Sequence, residues 1–189
     1  MPPLTQQNTL RTFLAITPPP LIQAGIEHTY GPLLDPFALK RPQKGQFHIT
    51  LAFLGKIPRK KVPGIIKKLQ VLRETQAFNI TLQGMGAFST RVIWMGVSQG
   101  TEELHALHEN TCRALNLRVK KFHAHLTLAR NRHLAQKAFK ETVERLSEKE
   151  FNQAFQAKGI NLMESTLTPT GSTYAECTFI PFKELPAEC

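Results

Sequence analysis

Two stretches of the 189-residue chain repeat one pattern. Residues 47–55 read FHITLAFLG and residues 122–130 read FHAHLTLAR. Each holds His-x-Thr-Leu-Ala, and the two histidines, His48 and His125, stand 77 positions apart (125 minus 48). In a β-strand alternate side chains share a face. His48 and Thr50 are therefore predicted on one face, with Phe47, Ile49, Leu51 and Phe53 turned into a core. His125 and Thr127 are predicted together likewise, with Phe122, Ala124, Leu126 and Leu128 opposite. Polar groups on an otherwise apolar strand cost free energy unless they find polar partners. Carrying that arrangement twice points to two related lobes, each giving one strand to a shared cleft.

The rest of the chain supplies the frame for such strands. Val62, Ile65, Ile66, Leu69 and Leu72 form one helical stripe, with Lys60, Lys61, Lys67 and Lys68 on the solvated side. Leu104, Leu107, Thr111, Cys112 and Leu115 form a second. Further helices are expected over 132–149 and near 20–30. Strand-like runs fall at 11–17, 46–54, 77–83, 92–97, 121–129, 155–165 and 173–180. Proline and glycine punctuate at Pro18 to Pro20, Gly31-Pro32, Gly84 to Gly86 and Pro169 to Gly171. Strands and helices alternate irregularly and no glycine-rich phosphate loop is present, so the fold class is α+β with mainly antiparallel sheets. Residues 1–10 are read as a disordered lead-in and 11–189 as one domain.

Composition narrows the partners. The net charge is +10, with a pI near 9.8, an excess that favours polyanions and nucleic acid above all. No apolar run approaches a membrane span of roughly 20 residues, and the first residues lack the regions of a signal peptide. The three cysteines include no CxxC pair, so neither a disulfide framework nor a cysteine zinc site is suggested. A cytoplasmic monomer without membrane contact is expected.

Brought face to face, the two motifs would surround one point with two imidazoles and two hydroxyls. Imidazole titrates near pH 6.5, so one ring can carry a proton while the other is neutral. In-line cleavage of a phosphodiester needs that division of labour: one group removes a proton from the attacking oxygen and another protonates the leaving oxygen. Hydroxyl donors stabilise the charge on the non-bridging oxygens. No cofactor and no metal are required.

At this point the chain resembles the two-histidine (2H) phosphoesterase superfamily, and within it the RNA 2′,3′-cyclic phosphodiesterases, historically called 2′-5′ RNA ligases. The resemblance runs from Arg11 to about Phe182. It rests on Arg11-Thr-Phe-Leu-Ala-Ile, His48-Ile-Thr-Leu-Ala-Phe-Leu-Gly55, Arg91-Val-Ile-Trp-Met-Gly96, Phe122-His-Ala-His-Leu-Thr-Leu-Ala-Arg130 and a closing strand pair near Tyr174. It implies a bilobal α+β fold with two pseudo-symmetric lobes, antiparallel sheets around a central cleft and helices outside. It implies a substrate, RNA or a nucleotide, ending in a 2′,3′-cyclic phosphate, which is opened to a 2′-phosphate. By the same resemblance His48 and His125 form the catalytic pair, His48 as acid on O3′ and His125 as base on water. Thr50, Thr127 and Arg130 hold the phosphate. A 5′-hydroxyl in place of water would account for 2′-5′ ligation.

Strict alternation puts Arg130 on the face opposite His125, so either the strand ends near Leu128 or the arginine curls back. His123 is read as a supporting residue, Trp94 as core, and His28, His105, His108 and His133 as structural or surface residues. Phe13 and Phe47 are read as core in preference to base-stacking positions. Arg59, Lys60, Lys61, Arg118, Lys120, Lys121 and Arg132 are candidates for steering RNA. Three rival readings remain. One is a zinc site using His123, His125 and His48, which a chelator would reveal. The second is a non-catalytic RNA-binding module. The third is a phosphodiesterase acting on 2′-5′ oligoadenylate or small cyclic nucleotides.

Overall fold

The structure, a computed structural model, describes residues 8–37, 39–168 and 171–184. Along the chain come β1 (Thr9–Ile16), α1 (Pro20–Leu34), β2 (Ile49–Pro58), α2 (Val62–Leu69), β3 (Phe78–Phe88), β4 (Val92–Gln99) and α3 (Thr101–Leu115). Then follow β5 (His125–Arg130), α4 (Gln136–Ser147), β6 (Asn152–Ala157), β7 (Gly159–Thr168) and β8 (Gly171–Pro181). The strands form one antiparallel sheet in the order β6-β3-β4-β5-β2-β1-β7-β8. The two motif strands, β2 and β5, lie side by side at its middle and share one register pair, Ile49 opposite Leu126. Each half of the sheet is one lobe.

The repeat in the sequence extends beyond the motif. β1-α1-β2 and β4-α3-β5 are each a strand, a 15-residue helix and an antiparallel motif strand. Their helices form for local reasons. Pro20 opens α1, where its missing N–H costs nothing. Ile22, Ile26, Tyr30 and Leu34 recur on one face and are all buried. That apolar stripe carries α1 through Gly31-Pro32, where the sequence suggests a stop. In α3, Glu102 and Glu103 complement the N-terminal dipole, and left-handed Asn116 (φ 55°) closes the helix. α3 packs on β2 and α4 on β3. Between sheet and helices lie Leu14, Ile49, Ile80, Ile93, Met95, Leu126 and Leu128, all fully buried.

Three boundaries differ from the sequence reading. Residues 1–7 of the expected lead-in lie outside the described residues, but Thr9 and Leu10 belong to β1. Leu10 is buried, and burial of that side chain extends the strand. The run 155–165 is two strands: β6 ends on β3, and β7 begins at Gly159 on β1's side of the sheet. A Cβ at residue 159 would collide with the Ile180 carbonyl and the Phe179 ring, so the crossing needs glycine. Gly84 does not end a strand. It takes a left-handed φ of 78° where the β3–β4 register shifts between Leu82 and Met85, and β3 continues to Phe88. Of the Pro169 to Gly171 turn, residues 169 and 170 lie outside the described residues.

Candidate active site

Each motif strand carries a β-bulge at its Leu-Ala step. Across β1 and β2, Ala15 faces Thr50 and the next pair is Leu14 with Ala52, so Leu51 is the extra residue. Across β4 and β5, Trp94 faces Thr127 and the next pair is Ile93 with Ala129, so Leu128 is extra. An added residue reverses the in-out alternation beyond it. Leu51 and Ala52 are both buried, as are Leu128 and Ala129. The residue after each pair, Phe53 or Arg130, therefore emerges on the His-Thr face. Alternation alone predicts Phe53 in the core; it is 70% exposed and lines the cleft. The same device resolves the position of Arg130, which reaches the cleft while β5 continues to its end.

A bulge removes backbone groups from the strand ladder, and they must be satisfied elsewhere. The Leu51 carbonyl accepts a hydrogen bond from Nδ1 of His108 on α3 (2.8 Å). Nε2 of the same ring lies 3.3 Å from the Lys120 carbonyl, in the segment that leads into β5. Phe122 stacks on the imidazole (centroids 4.6 Å apart, planes 9°). His108 therefore ties the first motif to the approach of the second, a tertiary role that no periodicity in α3 announces.

The cleft has a volume of about 370 Å³. His48, Thr50 and Phe53 line it from the first motif, and Thr127 and Arg130 from the second. Arg11 and Phe13 of β1, Lys40 and Arg41 of the α1–β2 loop, and Ser165, Ser172 and Tyr174 of β7 and β8 complete its walls. Among the described residues no carboxylate lines the cleft, while Arg11, Lys40, Arg41 and Arg130 do, so this lining is electropositive. His125 is not among the lining residues. Its ring packs edge-on to Phe88 (4.8 Å) and lies 6.3 Å from Trp94. Continuing the Ile49–Leu126 register by one residue sets His125 against Thr50 and His48 against Thr127. The steering candidates Arg59, Lys60, Lys61, Arg118, Lys120, Lys121 and Arg132 are exposed and none lines the cleft.

The two histidines are held alike. Nδ1 of His48 donates to the Gln46 carbonyl (2.9 Å), and Nδ1 of His125 to the His123 carbonyl (2.7 Å), each two residues back. A proton on Nδ1 leaves Nε2 of the neutral ring as the acceptor. Burial lowers the pKa of His48; the Gln46 hydrogen bond opposes this, and the charges of Arg130 and His125 add to it. Burial also lowers that of His125, against its His123 hydrogen bond and together with the charges of His123 and Arg130. The effect of the His125 charge on His48 places the two rings within electrostatic reach, although only His48 lines the cleft. His48 is the more enclosed, between Phe13 (4.9 Å) and Tyr174 (5.1 Å, edge-on).

Other aromatic residues complete the surroundings. Phe13 is buried as predicted, yet its ring also forms part of the cleft wall; Phe47 is buried in the core. Trp94, predicted in the core, is half-buried on the His-Thr face because it directly opposes Thr127. Its indole lies across Gly86, where any side chain would collide with it. His123 is exposed and packs on Trp94 (4.6 Å), a supporting contact. Among the described residues, no three histidine, cysteine or carboxylate side chains are grouped to hold a metal ion, so the trio His48, His123 and His125 is not assembled as ligands. No helix among the described residues is long and apolar enough to cross a membrane.

Comparison with known proteins gives a consistent result. The model of the 2′-5′ RNA ligase superfamily matches residues 18–168. An RNA 2′,3′-cyclic phosphodiesterase of Methanocaldococcus jannaschii is 31% identical over 173 residues, covering 87% of this chain and 96% of its own. One from Archaeoglobus fulgidus is 28% identical over 174 residues, covering 88% and 97%. The crystal structure of E. coli LigT in apo form superposes with a TM-score of 0.74 at 24% identity, over 92% of this chain and 98% of that one. The last likeness establishes the bilobal fold.

Proposed function

The chain belongs to the 2′-5′ RNA ligase superfamily, and from that membership and the cleft we propose that it is an RNA 2′,3′-cyclic phosphodiesterase. In this reading residues 11–189 act as one domain that opens a terminal 2′,3′-cyclic phosphate to a 2′-phosphate without a metal ion. The observation that carries it is the matched pair of histidines on adjoining strands. Each has its Nδ1 proton fixed by a carbonyl and, among the described residues, no hydrogen-bond partner on Nε2; two threonines and an arginine line the cleft beside them, with no carboxylate among its described lining residues.

Thr50, Thr127 and Arg130 donate to the non-bridging oxygens and hold phosphorus between the rings. Nε2 of His125, on the motif strand beside that of His48, takes a proton from water as the water oxygen bonds to phosphorus. The P–O3′ bond breaks, and Nε2 of the enclosed His48 gives its proton to O3′. The product is a 2′-phosphate with a free 3′-hydroxyl. His48 must be protonated at the start. Its depressed pKa in the empty site makes the anionic phosphate the group that raises it on binding. Phe53, exposed beside the phosphate site, offers a face on which the terminal base can stack. A 5′-hydroxyl in water's place would form a 2′-5′ linkage by the same steps.

The test is phosphorus NMR of an oligoribonucleotide ending in a 2′,3′-cyclic phosphate, incubated with the protein in excess EDTA. Conversion to the 2′-phosphate that both His48→Ala and His125→Ala abolish is the expected result. Conversion only after a metal is restored, or a 3′-phosphate product, would overturn the mechanism.

A further inference from the structure

Two pairs of like charges face each other across strands at the cleft, whose walls include Lys40, Arg130 and Arg11, with exposed Lys56 beside Arg11. Lys40 directly opposes Arg130, fixed by two backbone hydrogen bonds, Lys40 N–H to the Arg130 carbonyl (3.0 Å) and Arg130 N–H to the Lys40 carbonyl (2.8 Å). Arg11 on β1 directly opposes Lys56 on β2. Directly opposed residues project to the same side of a sheet, and like charges so placed repel. Neither pair has a carboxylate partner among the described residues. Arg41 shows the contrast: it is neutralised by Glu27 (3.2 Å) and Asp35 (2.8 Å). A fold that keeps two such repulsions uncompensated beside one cleft is built to receive more than one anionic group.

The Lys40–Arg130 pair adjoins the reacting phosphate. The other pair is too far away to share it. Arg11 stands four positions along β1 from Ala15, which faces Thr50, or roughly 13 Å at about 3.3 Å per residue. Phe13 and Phe53, themselves a register pair, lie between the two levels. Resting on the functional reading above, we propose that Arg11 and Lys56 form a second phosphate subsite, which takes a backbone phosphate upstream of the terminal nucleotide. The substrate is then the 3′ end of an RNA strand. A mononucleotide cyclic phosphate fills the reacting site and leaves Arg11 and Lys56 empty.

The experiment compares 2′,3′-cyclic AMP with a hexaribonucleotide ending in a cyclic phosphate, using wild type, Lys56→Gln and Arg11→Gln/Lys56→Gln. Wild type should show at least a tenfold higher kcat/KM for the hexamer at low salt, an advantage that fades as salt rises. The double variant should bring that advantage within about threefold, mainly through KM, and flatten the log–log salt dependence by about one to two units. Its turnover of cyclic AMP should stay within about twofold of wild type. Binding of a labelled hexamer bearing a terminal 2′-phosphate, read by fluorescence anisotropy, tests the subsite without turnover and should weaken about tenfold. An unchanged length preference, or equal loss on both substrates, would overturn the subsite. Wild type inert on both substrates would instead sink the functional reading.

Discussion

Arg130→Met tests the bulge, the electrostatics and the proposed chemistry together. The Leu128 bulge brings this guanidinium onto the face of the histidines, and its charge lowers the pKa of both rings. Removing the charge must raise both. The imidazole midpoints of His48 and His125, read from NMR titration of the free protein, should each rise toward the ordinary histidine value near 6.5 but stay below it, because burial, the larger cause, remains. A hydrogen bond from a charged group is worth about 1.5–3 kcal/mol, so losing the contact with phosphate should lower kcat/KM by about 10- to 150-fold. Arg130→Lys should keep part of the pKa depression and recover little activity, because an ammonium cannot reproduce a planar, two-pronged donor. Both midpoints staying in place, with activity within about twofold of wild type, would show that the arginine does not reach the cleft.

Three other substitutions address the supports of the site. His108→Leu leaves the Leu51 carbonyl unsatisfied and should cost about 1–3 kcal/mol in urea unfolding, with kcat/KM falling well below the melting range as Phe53 loses its placement. A destabilised variant with wild-type kcat/KM would show that the bulge does not need His108. Gly86→Ala pushes the Trp94 indole off its neighbour and should cost about 1–3 kcal/mol; an unchanged thermal midpoint would contradict that packing. The depressed histidine pKa values also set a pH dependence. Below pH 6.5 the unfolded chain binds more protons than the native one, so stability falls as pH drops through that value toward the folded pKa values. His48→Asn should flatten the slope of Tm between pH 7 and 5, and an unaltered slope would mean that its ring is not desolvated.

Much of the site was legible because its chemistry repeats on a period the backbone imposes. His48 with Thr50, and His125 with Thr127, share faces by simple alternation, and the apolar stripes of α2 and α3 announce those helices directly. The misplaced residues share a different cause. Nothing in Leu51-Ala52 or Leu128-Ala129 marks a bulge, because both residues are apolar and buried whichever way the strand turns. The extra residue is defined only by pairing with β1 and β4, strands far away in sequence. Phe53 and Arg130 inherit their faces from that pairing. Trp94 sits on a strand whose two faces are both apolar, so its side is fixed by register with Thr127 alone. The run 155–165 is uniformly strand-like and gives no sign that its halves join different ends of the sheet.

The near-symmetry of the two motif strands has a consequence for the orientation of the proposed substrate. Two superposable half-sites would offer a bound molecule two equivalent ways to lie, related by a half-turn. A cyclic phosphate at the end of a nucleotide has no such symmetry: one side of phosphorus carries the sugar and the other receives the nucleophile. The position that follows each bulge removes the ambiguity, with the flat apolar ring of Phe53 on one side and the cation Arg130 on the other. Exchanging the two residues should therefore invert the preferred orientation and, with it, the acid and base roles proposed for His48 and His125.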